Sequence, residues 1–341
     1  MGGGRRSHLL FNDIISLENL FLAWEEFKKG KTKRFDVQEF EFNLEDNLFE
    51  LQQELKTKTY SHSDYIPFFI TDPKLRYIHK ACIKDRIFHQ AVFRVLYPIF
   101  DRSFIYDSFS CRVNKGTHRA VIRLNKFCNK LSRNNSRNIY ALKCDIKKFF
   151  DSVDQKTLLE IIKRKVYDEN AIWLIQKILK SFEKEKAKGL PLGNVTSQLF
   201  ANVYLNELDQ FVKHILKAKY YIRYCDDFII LGEDKNILFL TAGKISEFLK
   251  KNLNLSLHSD KIIIRKYRQG IDFLGYVILP YHRVIRTRTK GRIFKKLMKR
   301  KKNLKNGLIS NVSFKQSVQS YLGILKHCDG YKIKQEILNL D

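Results

Sequence analysis

The sequence predicts an α+β fold, and three observations carry that expectation. Residues 139–145 form a short, largely apolar run that ends in an acid, which reads as a strand. Residues 220–224 and 228–231 are apolar runs flanking two adjacent aspartates, the pattern of a hairpin. Residues 153–182, 199–215 and 237–253 read as helices around them. Strand, helices, hairpin, helix and strand in that order suit an α+β domain and not a doubly wound parallel sheet.

Upstream, Leu44, Leu48, Leu51 and Leu55 recur at spacings of four, three and four, one face of an amphipathic helix. Residues 77–99 are also read as helical, with Lys84, Asp85 and Arg86 interrupting the apolar face. Residues 256–264 and 271–279 return to strand character. The tail then changes composition. Residues 283–305 hold 12 Lys or Arg in 23 positions and no acid. A solvated helical face is one reading of that block; a phosphate-binding surface is the other, because so dense a charge needs neutralising. There is no internal repeat, and five prolines leave no Pro-rich linker.

A chain of 341 residues that is 44% hydrophobic and 13% aromatic can bury a core, which argues against global disorder. Its 64 Lys and Arg outweigh 36 Asp and Glu, a net charge of +28. Such an excess repels itself unless a polyanion is the usual partner, so nucleic acid leads and an anionic membrane surface follows. No apolar run reaches the length of a membrane helix, and the opening MGGGRRSHLL lacks a secretory h-region. The six cysteines are scattered without a C-x-x-C pair, against zinc and against a disulfide framework. A cytoplasmic location is therefore expected, without membrane attachment.

Two acidic sites carry the chemistry. Asp145 sits in KCDIKKFFDSVD at a strand end, and Asp226–Asp227 sit in RYCDDFII between strands. Neighbouring carboxylates repel, and divalent cations relieve that repulsion. Each acid alone has a plainer reading: the Asp pair as a turn, Asp145 as the N-cap of the following turn.

Taken together these blocks resemble reverse transcriptases. RYCDDFII is similar to the family's Y-x-D-D hairpin, with Cys225 at the variable position, and KCDIKKFFDSVD to its first metal-binding strand. GLPLGNVTSQLFANVYLNELD resembles the motif B loop and helix, LSLHSDKIII the next strand with its lysine, and DFLGYVI the primer-grip hairpin. DPKLRYIHKACIKDRIFHQAV and DSFSCRVNKGTHRAV resemble the finger motifs. The blocks keep the family's order from about residue 65 to residue 278. Motif B reads Leu192-Gly193-Asn194-Val195-Thr196-Ser197-Gln198 where most members carry Gln-Gly-x-x-x-Ser-Pro. That departure, with SYLGILKH in the tail, is most like the enzymes of diversity-generating retroelements, which are related to those of group II introns and retrons.

The resemblance implies a right-hand polymerase. It would have an N-terminal extension and helix over 1–60 and fingers over 61–138. A palm of antiparallel sheet plus helices would span 139–280, and a short basic helical thumb 281–341. It implies two Mg²⁺ ions, with Mn²⁺ as an alternative, on Asp145, the Ile146 carbonyl, Asp226 and Asp227. Lys261 would be the general acid for pyrophosphate, or else a surface lysine. Lys74 and Arg76 would hold the triphosphate, or else be ordinary surface cations. Phe150 would be the steric gate against a 2′-hydroxyl, with Phe149 in the core. Leu192, Gly193, Ser197 and Gln198 would lie at the nascent base pair, with Ser197 starting the motif B helix. Arg112 would touch template backbone or a fingers carboxylate. Phe273, Leu274 and Gly275 would grip the primer, and Arg292, Lys295 and Lys299 would track the duplex.

The implied activity is RNA-directed DNA synthesis by two-metal catalysis, making mutagenic cDNA in a diversity-generating retroelement. An RNA template, a DNA or RNA primer and dNTPs are the expected partners, with a small basic helical accessory protein as a further one. After Gly275, a helical thumb is expected and neither an RNase H domain nor an endonuclease. Two alternatives stand: an antiphage-defence, retron or group II intron-like reverse transcriptase, or a catalytically weak RNA-binding chaperone. Intact Asp145, Asp226 and Asp227 speak against the chaperone.

Overall fold

The computed structural model describes residues 10–71 and 74–340. The chain forms two compact units, each assembled from separated segments. The first comprises Met1–Cys111, Ile146–Lys217 and Lys244–His258; the second comprises Arg112–Asp145, Ala218–Gly243 and Ser259–Asp341.

The first unit is mainly helical. In Leu44–Lys56 the predicted stripe is real: Leu48, Leu51 and Leu55 are fully buried. Helix Ile83–Asp101 buries Ile87, Phe88, Ala91, Val92 and Leu96 on one side. Its first turn also buries Asp85, which accepts from Tyr60 Oη at 2.7 Å and from Ser63 N at 3.0 Å. The expectation of a helix over 77–99 fails at its start. Arg76–Lys80 is a strand (β2) paired antiparallel with Ile66–Ile70 (β1), Ile66 opposite Lys80 and Ile70 opposite Arg76. The Ala81-Cys82 step separates strand from helix, and the Cys82 thiol caps the latter by accepting from Asp85 N. Both strands are largely exposed, so no one-sided burial marked their period in the sequence.

Asp154 and Asp168 cap the helices Gln155–Lys163 and Glu169–Lys180, each side chain accepting backbone N–H groups that the first turn leaves without partners. The motif B helix runs Val195–Gln210, so it begins two residues before the expected Ser197. It ends in a π-helical turn, Phe211–Ile215.

The second unit is built on a four-stranded antiparallel sheet. Its strands are Tyr140–Asp145 (β3), Tyr221–Tyr224 (β4), Asp227–Gly232 (β5) and Ile263–Lys266 (β6), in the order β4-β5-β3-β6. The expected strand over 256–264 shrinks to β6, preceded by a 3₁₀ turn, Ser259–Lys261. The stretch 271–279 is a hairpin of Ile271–Phe273 (β7) and Tyr276–Ile278 (β8), extended by Arg283–Ile285 (β9). Leu274 (φ 50°) and Gly275 (φ 89°) form its two-residue turn. Positive φ at both positions matches the right-handed twist of the strands, and Leu accepts it less readily than Gly.

The basic tail is a helix, Thr287–Lys305, followed by Asn311–Leu325 and Tyr331–Leu338. Its cations are the outward face of a real core: Ile293, Leu297, Phe314, Val318, Leu325 and Ile337 are buried together. Among the described residues, no helix is long and apolar enough to cross a membrane. Phe314 is 2% exposed at the centre of the tail core. Phe314→Ala is expected to cost about 3–5 kcal/mol through lost transfer energy and a residual cavity. Limited proteolysis should then release fragments cut within 287–338; an unchanged digestion pattern would contradict the core described.

Candidate active site

Sheet register creates the acidic centre. β3 pairs with β5 so that Asp145 lies directly opposite Asp227. Side chains on directly opposed residues of an antiparallel pair share one face of the sheet, so the two carboxylates meet there. Asp226 is at the tip of the β4–β5 hairpin, whose ladder closes at Tyr224 opposite Asp227. The other tip residue, Cys225, has φ 56°, the left-handed region a hairpin turn demands and a Cβ resists. Arg223, fully buried, donates from Nη1 to the Cys225 carbonyl at 3.1 Å and braces that turn.

Cations answer the acids. Lys261 Nζ donates to Asp145 Oδ1 at 2.8 Å. Lys143 Nζ stands 3.4 Å from Asp227 Oδ2 and donates to the Asp272 carbonyl at 2.9 Å. Asp272 in turn pairs with Arg286. Burial pushes the Asp227 carboxyl up from 3.8 to about 6; Lys143 opposes that rise, and Asp145 and Asp226 add to it. Asp226 is likewise raised, first by burial and then by Asp145.

Asp145 does not cap the turn that follows it: the N-cap of Phe149–Ser152 is Lys148. Among the described residues, no group of three His, Cys, Asp or Glu side chains is set to hold a metal ion as it stands. The donor chemistry nevertheless fits a hard divalent cation. Burial and the neighbouring acids push the Asp226 and Asp227 carboxyls up, and Asp227 Oδ1 is buried with no hydrogen-bond partner among the described residues.

The other residues singled out in the sequence divide between the units. In the second, Phe273 is fully buried, Leu274 and Gly275 make the hairpin turn, and the Gly275 carbonyl accepts from Arg286 N at 2.9 Å. Lys295 and Lys299 are exposed on the tail helix, and Arg112 and Arg292 are half-buried. The first unit holds the rest. Lys74 and Arg76 are exposed on the β1–β2 hairpin. Phe149 is buried, as expected, and Phe150 is half-buried beside it with ring centroids 5.3 Å apart. Ile146 is buried and bridges Leu257. Gly193 and Gln198 are exposed, Leu192 is half-buried and Ser197 is buried.

Sequence reasoning passed over Lys143 and Arg223. Lys143 lies two residues before Asp145, hence on the same face, diagonal to Asp227 across the ladder. Only the register reveals that diagonal. Arg223 stands in an apolar run and carried no signal of its own.

Comparison with known proteins decides the family. Residues 71–278 match the family described as "Reverse transcriptase (RNA-dependent DNA polymerase)". The chain belongs to the reverse transcriptase family. It is 23% identical over 262 residues to the "Putative COX1/OXI3 intron 2 protein" of Saccharomyces cerevisiae, a match that covers 57% of this chain and 29% of that protein. It is 25% identical over 338 residues to the "Group II intron-encoded protein LtrA" of Lactococcus lactis subsp. cremoris, covering 78% of this chain and 54% of that one. The chain thus spans about a third to a half of these relatives' length. The apo telomerase of Candida tropicalis superposes with a TM-score of 0.51 at 16% identity, over 74% of this chain and 56% of that one. The shared fold is that of a right-hand polymerase.

The raised carboxyl of Asp227 gives the site a pH signature. A folded pKa above 3.8 means the folded state holds the proton more tightly, so stability falls as pH rises from about 4 to about 6. Two units correspond to about 3 kcal/mol. In metal-free buffer, Asp227→Asn should stabilise the protein above pH 6 by up to about that amount and have little effect below pH 4. Denaturant titrations at the two pH values measure it; an equal effect at both would show that burial of the charge is not the cause.

Proposed function

We propose that this protein extends a primer 3′-end with dNTPs on an RNA template. The observation that carries the reading is the opposed pair Asp145 and Asp227, with Asp226 on the adjoining turn, in a chain of this family. Mg²⁺ ions held by these carboxylates would supply the charge that lowers the pKa of the primer hydroxyl and neutralises the leaving pyrophosphate. Asp145, Asp226 and Asp227 are the ligands in this reading, and their mutual repulsion in the bare site is what a divalent cation relieves. Lys261, whose ammonium lies 2.8 Å from Asp145 Oδ1, would release that carboxylate and protonate the departing pyrophosphate oxygen. Leu274 and Gly275, in the β7–β8 turn, hold the primer strand, while Phe273, expected to grip it too, is fully buried and anchors the hairpin instead. The exposed cations of Thr287–Lys305, Lys295 and Lys299 among them, follow the duplex phosphates.

In the first unit, Lys74 and Arg76 take the triphosphate, and the half-buried Phe150 rejects a 2′-hydroxyl by volume. Leu192, Gly193 and Gln198 form the surface on which the nascent base pair rests, and the buried Ser197 supports it from within the helix.

Asp226→Asn and Asp145→Asn should each abolish Mg²⁺-dependent extension of a primer on RNA while RNA binding persists. Asn keeps the shape and removes the charge. A primer-extension assay with either variant decides it, and full-length product would overturn the assignment.

A finer reading concerns fidelity. Leu192 offers the pocket shape without a hydrogen-bonding side chain, as in the diversity-generating retroelement enzymes this motif resembles. One lost hydrogen bond is worth roughly 0.5–1.5 kcal/mol, up to about tenfold in discrimination. We expect more errors opposite template A than opposite other bases, and a gain in accuracy for Leu192→Gln. Sequencing of cDNA made on a defined RNA tests this; equal error rates at all four template bases in the unmodified protein would end the retroelement reading.

A further inference from the structure

The loop of motif B is tied to the interior by three hydrogen bonds within the first unit. His79 N donates to the Leu192 carbonyl at 2.9 Å. Asn194 Nδ2 donates to Tyr65 Oη at 3.3 Å, and that hydroxyl lies 2.9 Å from Ser181 Oγ. Thr196 Oγ1, fully buried, bonds His89 Nδ1. Between these anchors Gly193 sits at φ 124°, so tightly set that an added Cβ would meet Ile78 Cγ2 at 3.0 Å and the His79 carbonyl oxygen at 3.2 Å.

The third tie continues inward. His89 Nε2 lies 3.1 Å from His62 Nε2. His62 Nδ1 is 2.6 Å from the Ser63 carbonyl oxygen and 3.5 Å from Asp85 Oδ2. Asp85 has no solvent exposure and also receives Tyr60 Oη, Ser63 N and the Cys82 thiol. The His62 ring packs on Tyr65 at 4.8 Å between centroids, so it backs the Asn194 anchor as well.

His89 is 1% exposed, and burial holds its pKa down to about 3. A neutral imidazole has one N–H and one lone pair. With His62 on one side and Thr196 on the other, both are used. Whichever ring nitrogen donates, the other accepts, so the hydroxyl of Thr196 and the ring of His62 are coupled through His89. A buried polar chain with every group satisfied fixes geometry; a gap in it costs the whole chain.

We propose that His89, with His62 behind it, is a positioning residue for nucleotide selection. The chain Asp85–His62–His89–Thr196 locks the first turn of the helix Val195–Gln210 and thereby the backbone of Leu192 and Gly193. The proposal rests on the polymerase reading for its consequence, since it is that reading which sets the nascent base pair on this loop. The lock itself does not depend on it. His89 touches no substrate; it acts through Thr196.

The test uses the whole chain and two readouts. Thr196→Val keeps the shape and removes the hydroxyl; His89→Phe keeps a ring and removes both nitrogens. Each should raise the dNTP KM in primer extension roughly tenfold, the weight of one hydrogen bond, with kcat within about twofold. Each should also speed amide hydrogen exchange across residues 192–198. Thr196→Ser and His89→Gln, which restore a bonding group, should return both readouts toward the unmodified protein. Unchanged KM and unchanged exchange in Thr196→Val would overturn the proposal. So would a Thr196→Ser variant as impaired as Thr196→Val, which would mean the site needs only bulk. If the unmodified protein fails to extend any primer, the polymerase reading falls, while the exchange comparison still decides whether the chain holds the loop.

Discussion

The second unit is arranged around two aspartates facing each other across one rung of a β-ladder. Like charges directly opposite on a sheet destabilise it. The protein sustains the pair by giving each carboxylate its own ammonium, Lys261 for Asp145 and Lys143 for Asp227. The answer is incomplete: Asp226 and Asp227 both remain raised, and one oxygen of Asp227 has no partner among the described residues. A chain selected for stability alone would put an apolar pair on that rung.

Holding the acids in register takes a strand that cannot slip. β3 is paired on both sides, to β5 over six residues and to β6 over four. Its inward residues Leu142 and Cys144 are fully buried. A one-residue shift would turn these outward and carry Asp145 to the opposite face. Two of the strained backbone positions lie in the turns where the chemistry is proposed to occur. Cys225 in the aspartate turn and Leu274 in the β7–β8 turn both occupy the left-handed region without being glycine. Each is over-determined by its surroundings: Arg223 fixes the first turn, and Arg286 N bonds the carbonyl of Gly275 in the second.

In the first unit the motif B loop is held by a hydrogen-bonded interior that ends on the buried Asp85, and the histidine nearest the loop stays neutral. The two histidines were invisible as a pair in the sequence, 27 residues apart and on different elements. His62 lies in a segment with neither helix nor strand, and His89 on the buried face of a helix that reads as ordinary core.

The sequence by itself determined the α+β class, the hairpin bearing Asp226 and Asp227, the amphipathic helices and the basic tail. Each of these is local. A hydrophobic period, a turn with an acid in it or a run of like charge is written in consecutive residues, and ordered motifs add family membership. The sequence misread residues 77–80 as helix because an exposed hairpin lacks the one-sided burial that gives strands their period. It also placed the start of the motif B helix two residues late. What only the tertiary structure decided is everything that depends on register and burial. Asp145 meets Asp227 because β3 and β5 pair at one offset and no other. Lys143 reaches Asp227 along the diagonal of the same pairing. His89 is neutral because packing removed its water. Side-chain encounters between distant segments are set by how strands align and which faces close, and neither is encoded in the residues immediately beside them.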